Sequence, residues 1–283
     1  MSIATKSMLA VLAMSQWSAR KLDKKETIEL ARKHGTASDV ASVHKALLPL
    51  SKPLDDIHKA TGSIRTYFYT NTLSWGIEGT RILLVDNYME FTQEMRSKLQ
   101  QREHLVALFV QQYPHLQQLA RNTLNGMYRD DDYPPQDVVA RKFYADLKFF
   151  PVPTADDWRV TLSDAEDQSI RAQLTAEITA STGEAMRDAW TRLHEVVSKA
   201  AEKLSDPKAI FRDSLVTNAL DLCKLLPRLN LTDDPNLESM RQQVEAALAS
   251  HTIENIRQPG VTRNETAAKM SDIMAKMGAM YGA

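Results

Sequence analysis

The stretch WSARKLDKK sets Trp17 beside Arg20, Lys21, Lys24 and Lys25, one aromatic ring and four cations within nine residues. Cations that follow phosphates, next to a ring on which a base can stack, are what single-stranded nucleic-acid binding requires. RTYFY, residues 65–69, adds Arg65 and more ring surface. Residues 1–65 hold eleven Lys/Arg against six Asp/Glu, in a chain of 283 residues whose 35 basic and 36 acidic side chains nearly cancel. Against this stands a plainer expectation, with Trp17 in the core and the lysines on a solvated helix start. A second candidate surface lies at the other end of the chain. Met270, Ile273, Met274 and Met277 recur at helical spacing and form a soft apolar stripe, suited to a protein partner or to the chain's own core.

Signs of catalysis are sparse. The seven histidines show no HExxH and no pair three or four residues apart, so no zinc site is expected, and no cofactor either. No phosphate-binding glycine loop, GxSxG elbow or cysteine motif occurs. Cys223 sits in the leucine-rich LDLCKLLP and reads as a packing residue. RDDDY groups Asp130, Asp131 and Asp132; carboxylates in series point different ways, so an exposed acidic turn is expected rather than a divalent-ion site. SWGIEG with Arg81 reads as an ordered loop, either one that approaches a ligand or one locked by a buried Trp75. A non-enzymatic protein is the expectation.

The elements that must position these residues follow from periodicity. MLAVLAMSQW alternates as a strand, and KKETIELARKHG is a short helix ended by Gly35. A helix over residues 54–67 follows. From Asp86 the stripe Tyr88, Phe91, Met95, Leu99, Val106, Phe109 and Tyr113 predicts one long helix, with Pro114 opening the next. Phe143, Ala145, Leu147 and Phe149 alternate against Trp158, Val160 and Leu162, which predicts a β-hairpin over 143–162. An isolated ribbon is marginal in water, so it should pack on the helices or recruit MLAVLAMSQW as a third strand. Met186, Trp190, Leu193, Val197, Ala200 and Leu204 form a seam on a further long helix with a kink expected at Gly183. SDPKAIF and TDDPNLE open helices near Pro207 and Pro235, and a last helix closes the chain.

The fold class expected is therefore mainly α with a small β element, long antiparallel helices carrying a β-hairpin, plus a C-terminal helical region. Three stretches are expected: a mixed α/β region with the basic strip (1–82), long helices with the inserted hairpin (83–204), and the C-terminal helices (205–283). The single cysteine excludes an intrachain disulfide framework and favours a reducing compartment. MLAVLAM is too short for a membrane span and lacks the flanks of a secretory leader, so a cytoplasmic protein is expected.

Taken together, SQWSARKLDKK, KALLP, NTLSWGIEGTRIL, FPVPTADDWRV and LSDPKAIFRDSLV with LCKLLPRLNLTDDP resemble a family of tailed-bacteriophage proteins of uncharacterised role. The resemblance spans residues 15–280. It is also distantly similar to a bacterial and phage domain of unknown function whose genes often lie near AAA+ ATPases. The resemblance implies a phage origin and a host-cell setting; it carries no catalytic residues. Two functions are expected from different classes. One is an accessory factor in phage DNA transactions binding single-stranded nucleic acid through Trp17, Arg20, Lys21, Lys24, Lys25 and Arg65. The other is an interaction or assembly adaptor, for example for an ATPase, that engages a partner or a second copy through the seam or through Met270, Ile273, Met274 and Met277, with a virion structural protein as a further alternative.

Overall fold

The computed structural model describes residues 2–76, 78–154, 164–206 and 208–281. In chain order the elements are α1 (Ile3–Lys6), β1 (Ser7–Met14), β2 (Arg20–Leu22), α2 (Lys24–His34), β3 (His44–Ala46), α3 (Lys52–Thr70), β4 (Leu73–Ser74), β5 (Thr80–Leu84), α4 (Tyr88–Leu124), α5 (Gln136–Arg141), β6 (Ala145–Pro151), α6 (Asp164–Ser205), α7 (Ser214–Leu225), α8 (Pro235–Ala249), α9 (Ile253–Arg257) and α10 (Val261–Tyr281). The protein is mainly α with a small β element. One sheet has the order β4-β5-β1-β6 and a second, two-stranded, pairs β2 with β3. The chain forms two compact units: residues 1–11, 68–92 and 148–283 make the first, residues 12–67 and 93–147 the second. These interleave along the sequence and cut across the three consecutive stretches expected, because α3 and α4 each contribute residues to both.

In the first unit β1 runs antiparallel to β5, with Leu9 opposite Ile82 and Ala10 opposite Arg81. Leu9, Leu73 and Ile82 are buried in one core with the apolar faces of α6, α7, α8 and α10. The seam read on α6 is real, and every member from Met186 to Leu204 is buried. It is satisfied inside the chain, since α6 packs along α10 and against α7 and α8. α6 continues unbroken through Gly183. TDDPNLE opens α8 as its residues dictate: the Asp234 carboxylate accepts from the backbone N–H of Asn236 at 2.9 Å, with Pro235 at the first helical position.

SDPKAIF does not open a helix; α7 begins at Ser214. Asp206 instead makes a turn, its carboxylate accepting from the Lys208 N–H at 2.8 Å. Its carbonyl accepts from the buried guanidinium of Arg263, which also takes the carbonyls of Lys203 and Leu204. Arg263 thus satisfies carbonyls that the last turn of α6 leaves without helical partners.

In the second unit Leu54 and Ile57 of α3, Phe109 and Tyr113 of α4 and Val139 of α5 share a core. α4 does not end at Pro114 but runs through it. A proline removes the N–H that would bond the carbonyl four residues back, here Val110. The Gln136 side-chain amide donates to that carbonyl at 2.8 Å, which restores the lost bond. Of the hairpin expected over 143–162, the first strand is β6, which starts at Ala145 and lies beside β1 as its neighbour in the sheet. Trp158, Val160 and Leu162 lie outside the described residues.

Candidate nucleic-acid interface

The basic strip belongs to a small polar module in the second unit. β2 and β3 pair antiparallel, Arg20 opposite Ala46, Lys21 opposite Lys45 and Leu22 opposite His44. The Leu47 N–H donates to the Ala19 carbonyl at 2.7 Å and extends the ribbon by one rung. Ala19 itself takes a positive φ of 49°, a conformation that costs a non-glycine residue and turns the chain into β2.

Asp23 then starts α2. Its carboxylate accepts from the Glu26 N–H at 3.2 Å, and its carbonyl accepts from the Thr27 hydroxyl at 2.7 Å. The Thr27 hydroxyl accepts from the Val43 N–H at 3.0 Å, and the Asp23 N–H donates to the Val43 carbonyl at 2.8 Å. Gly35, at a φ of 63°, ends the helix as its position in HG implied.

Beneath the module lies a buried ionic cluster. Lys45 Nζ, with its side chain 4% exposed, contacts Asp132 at 2.6 Å, Asp23 at 3.5 Å and the Met127 carbonyl at 2.7 Å. Lys21 Nζ reaches the other Asp132 oxygen at 2.7 Å. The Glu26 N–H and Lys45 hold the Asp23 carboxyl below the usual carboxylate range. Burial pushes Asp132 upward, but Lys21 and Lys45 outweigh it, and its carboxyl also lies low. Asp132 is therefore not part of an exposed acidic turn as the sequence suggested. It is a buried counter-ion for two lysines. Asp130 stays exposed and pairs with Arg121. Among the described residues no group of three or more His, Cys, Asp or Glu could hold a metal ion.

This arrangement fixes where each expected binding residue points. Trp17 is 9% exposed and packs in the core, 5.8 Å edge-on to Tyr113 and 6.5 Å from Phe109. Its backbone carbonyl contacts the His58 ring at 3.0 Å. A ring so enclosed offers no face to a base, so the stacking role expected for Trp17 is corrected to a core role. Lys21 is partly spent on Asp132. Arg20, Lys24 and Lys25 are exposed. Arg65 is exposed on α3, close enough to Arg102 for the two charges to repel.

Two further cations were missed. α2 carries Lys24, Ile28 and Arg32 at four-residue spacing on one line of its surface, and Lys25, Glu29 and Lys33 on the next. All six are exposed, whereas Thr27 and Ala31 face inward. Lys25 sits 3.8 Å from Glu29. Arg20, Lys24, Arg32 and Lys33 have no acidic partner among the described residues. The four-residue spacing was visible in the sequence; what it lacked was knowledge of the buried side. The second unit as a whole holds seventeen Lys/Arg against thirteen Asp/Glu, the first eighteen against twenty-three.

The other expected surfaces are used inside the first unit. Met270, Ile273 and Met277 are 0%, 3% and 1% exposed, and Met274 packs against the same core. The stripe faces α6 and is corrected from a partner surface to part of the core. Trp75 is buried and locks its loop, as one expectation held. A Cβ on Gly76 would meet the Ser181 hydroxyl, so the loop runs close against α6 and a larger residue there would require that hydroxyl to turn away. Asp188 accepts from the Ser74 N–H at 3.0 Å and from the guanidinium groups of Arg81 and Arg192. Burial of Cys223 pushes its thiol up to about 11, consistent with packing rather than reactivity. No helix among the described residues is long and apolar enough to cross a membrane. No family model, curated protein or solved structure matches the chain.

Proposed function

We propose that this protein is a non-catalytic accessory factor of phage DNA transactions, working in the host cytoplasm, that holds nucleic acid by its phosphates on the outer face of β2 and α2. The observation that carries this reading is the group of four exposed cations, Arg20, Lys24, Arg32 and Lys33, that no carboxylate neutralises among the described residues. The polar module that carries them turns Asp23 and Asp132 inward on Lys45, while Glu29 stays exposed beside Lys25. Phosphate contacts position a protein on nucleic acid without reading sequence. With Trp17 enclosed, the face offers charge and no aromatic platform, so the reading moves from single strands to sequence-independent binding of single and double strands alike.

Fluorescence anisotropy of labelled oligonucleotides across a salt series tests it. Each phosphate contact contributes about 0.9 to the slope of log affinity against log salt on duplex, and about 0.7 on single strands. Replacing Arg20, Lys24, Arg32 and Lys33 with alanine should lower the duplex slope by about 3 to 4. An unchanged slope sinks the proposal. The adaptor reading loses the faces it relied on, since the seam of α6 and the methionines of α10 are buried against each other.

A further inference from the structure

The first unit contains a cavity of about 500 Å³ between the last turns of α6 and the first turn of α7. Val196, Lys199 and Lys203 face it from α6, at spacings that place them on one side of the helix. Ser214, Leu215 and Asn218 face it from α7, and Ile210 and Arg212 from the connecting segment. Among the described residues no carboxylate lines it. Of the acids nearby in sequence, Asp213 pairs with Arg257 and Asp206 caps the Lys208 N–H, whereas Glu202 contacts the lining Lys203 at 2.9 Å. Lys199 and Arg212 have no acidic partner among the described residues.

The rim is held in place. Arg263 fixes the end of α6 through the carbonyls of Lys203, Leu204 and Asp206, and its guanidinium lies 6.0 Å from the Phe211 ring. The Asp213–Arg257 pair holds the other end of the segment. Ile210, 81% exposed, is left as an apolar wall beside the opening.

Lys199 and Arg212, which have no acidic partner among the described residues, stand beside Lys203, which shares its charge with Glu202, and together favour an anionic occupant. The space is several times larger than a bare phosphate needs and lies in the range of small-molecule sites. Val196, Leu215 and Ile210 supply apolar surface for a compact body. Asn218, which both donates and accepts, and the Ser214 hydroxyl suit a body edged with heteroatoms. A guanidinium can also lie flat on a planar ring. An acyl chain would want an enclosed apolar tunnel instead. We infer that this cavity binds a mononucleotide, with the phosphate on Lys199, Lys203 and Arg212 and the base against Ile210, Val196 and Leu215. This site is separate from the basic face of α2 and does not depend on it.

Isothermal titration calorimetry of the full chain with AMP, adenosine and inorganic phosphate tests the inference. AMP should bind saturably, and adenosine and inorganic phosphate at least tenfold more weakly, because each lacks half of what the cavity holds. The double variant Lys199→Ala/Arg212→Ala should weaken AMP at least tenfold. Ile210→Glu, which leaves all three cations in place, should do the same by charging the apolar wall. The α2 variant lacking Arg20, Lys24, Arg32 and Lys33 should bind AMP unchanged, which separates this site from the proposed nucleic-acid face. Absence of saturable AMP binding, equal affinity for inorganic phosphate or adenosine, or a loss caused by the α2 variant would each overturn it.

Discussion

α2 and α10 both looked like binding surfaces, and the structure uses them in opposite ways. α10 has an apolar stripe long enough to dock, and Ala267, Met270, Ile273 and Met277 disappear into the core beside α6. α2 has only Thr27 and Ala31 fully buried, too little to hold eleven residues in place. Hydrogen bonds to Val43 and the Lys45 cluster hold it instead. An element docked by apolar area spends its interesting face on the protein. An element docked by a few polar anchors keeps its outer face free for something else. What makes a helix available to a partner is therefore how it is anchored, more than what its exposed residues are.

The contrast can be broken at its anchors. Lys45→Met leaves Asp23 and Asp132 buried without their shared cation and should cost about 3–5 kcal/mol in chemical denaturation. A cost under about 1 kcal/mol would mean that the cluster does not hold the module. Met270→Ala should cost about 2–5 kcal/mol through lost packing and the cavity left behind. If it is instead near neutral, α10 is a detachable arm and the partner reading of its methionines returns.

Acid should separate the two anchors. Asp23 and Asp132 have carboxyls lowered in the folded state, so their contribution is present above the ordinary carboxylate value of about 4 and is lost as pH falls through the lower folded values. Amide exchange in α2, corrected for intrinsic rates, should therefore accelerate below about pH 4 before exchange around Met270 does. The smallest effect is expected on the outer face. Replacing Arg20, Lys24, Arg32 and Lys33 together should shift stability by no more than about 1 kcal/mol, since these exposed side chains have no acidic partner among the described residues and only Arg32 and Lys33, in the last turn of α2, complement its dipole. A larger loss would show that the face is structural.

Local signals in the sequence carried far where both partners lie close along the chain. Asp234 and Pro235 announce α8, Gly35 ends α2, and the α6 seam reads directly from its spacing, because caps and periodicity involve residues within a few positions. The failures share a different cause. Asp206 and Pro207 carry a helix-start pattern, but Arg263, 57 residues on, takes the Asp206 carbonyl, and the Asp206 carboxylate caps a turn instead. Trp17 stands among cations in sequence and against Phe109 and Tyr113 in space. Lys45 and Asp132 carry no mark of their pairing at all, since a lysine and an aspartate that meet in the interior look like any others on the surface. The site was legible as a concentration of charge, and its membership was not. Arg32 and Lys33 join it only once Thr27 and Ala31 are known to face inward.

The amide of Gln136 that replaces the bond lost at Pro114 has a consequence for the order of events as the chain is made. Val110, whose carbonyl it satisfies, lies 26 residues earlier. When α4 has been synthesised through Leu124, its middle still lacks a partner that the nascent chain has yet to supply. Completion of the helix's hydrogen bonding is thereby tied to arrival of the segment that supplies Gln136.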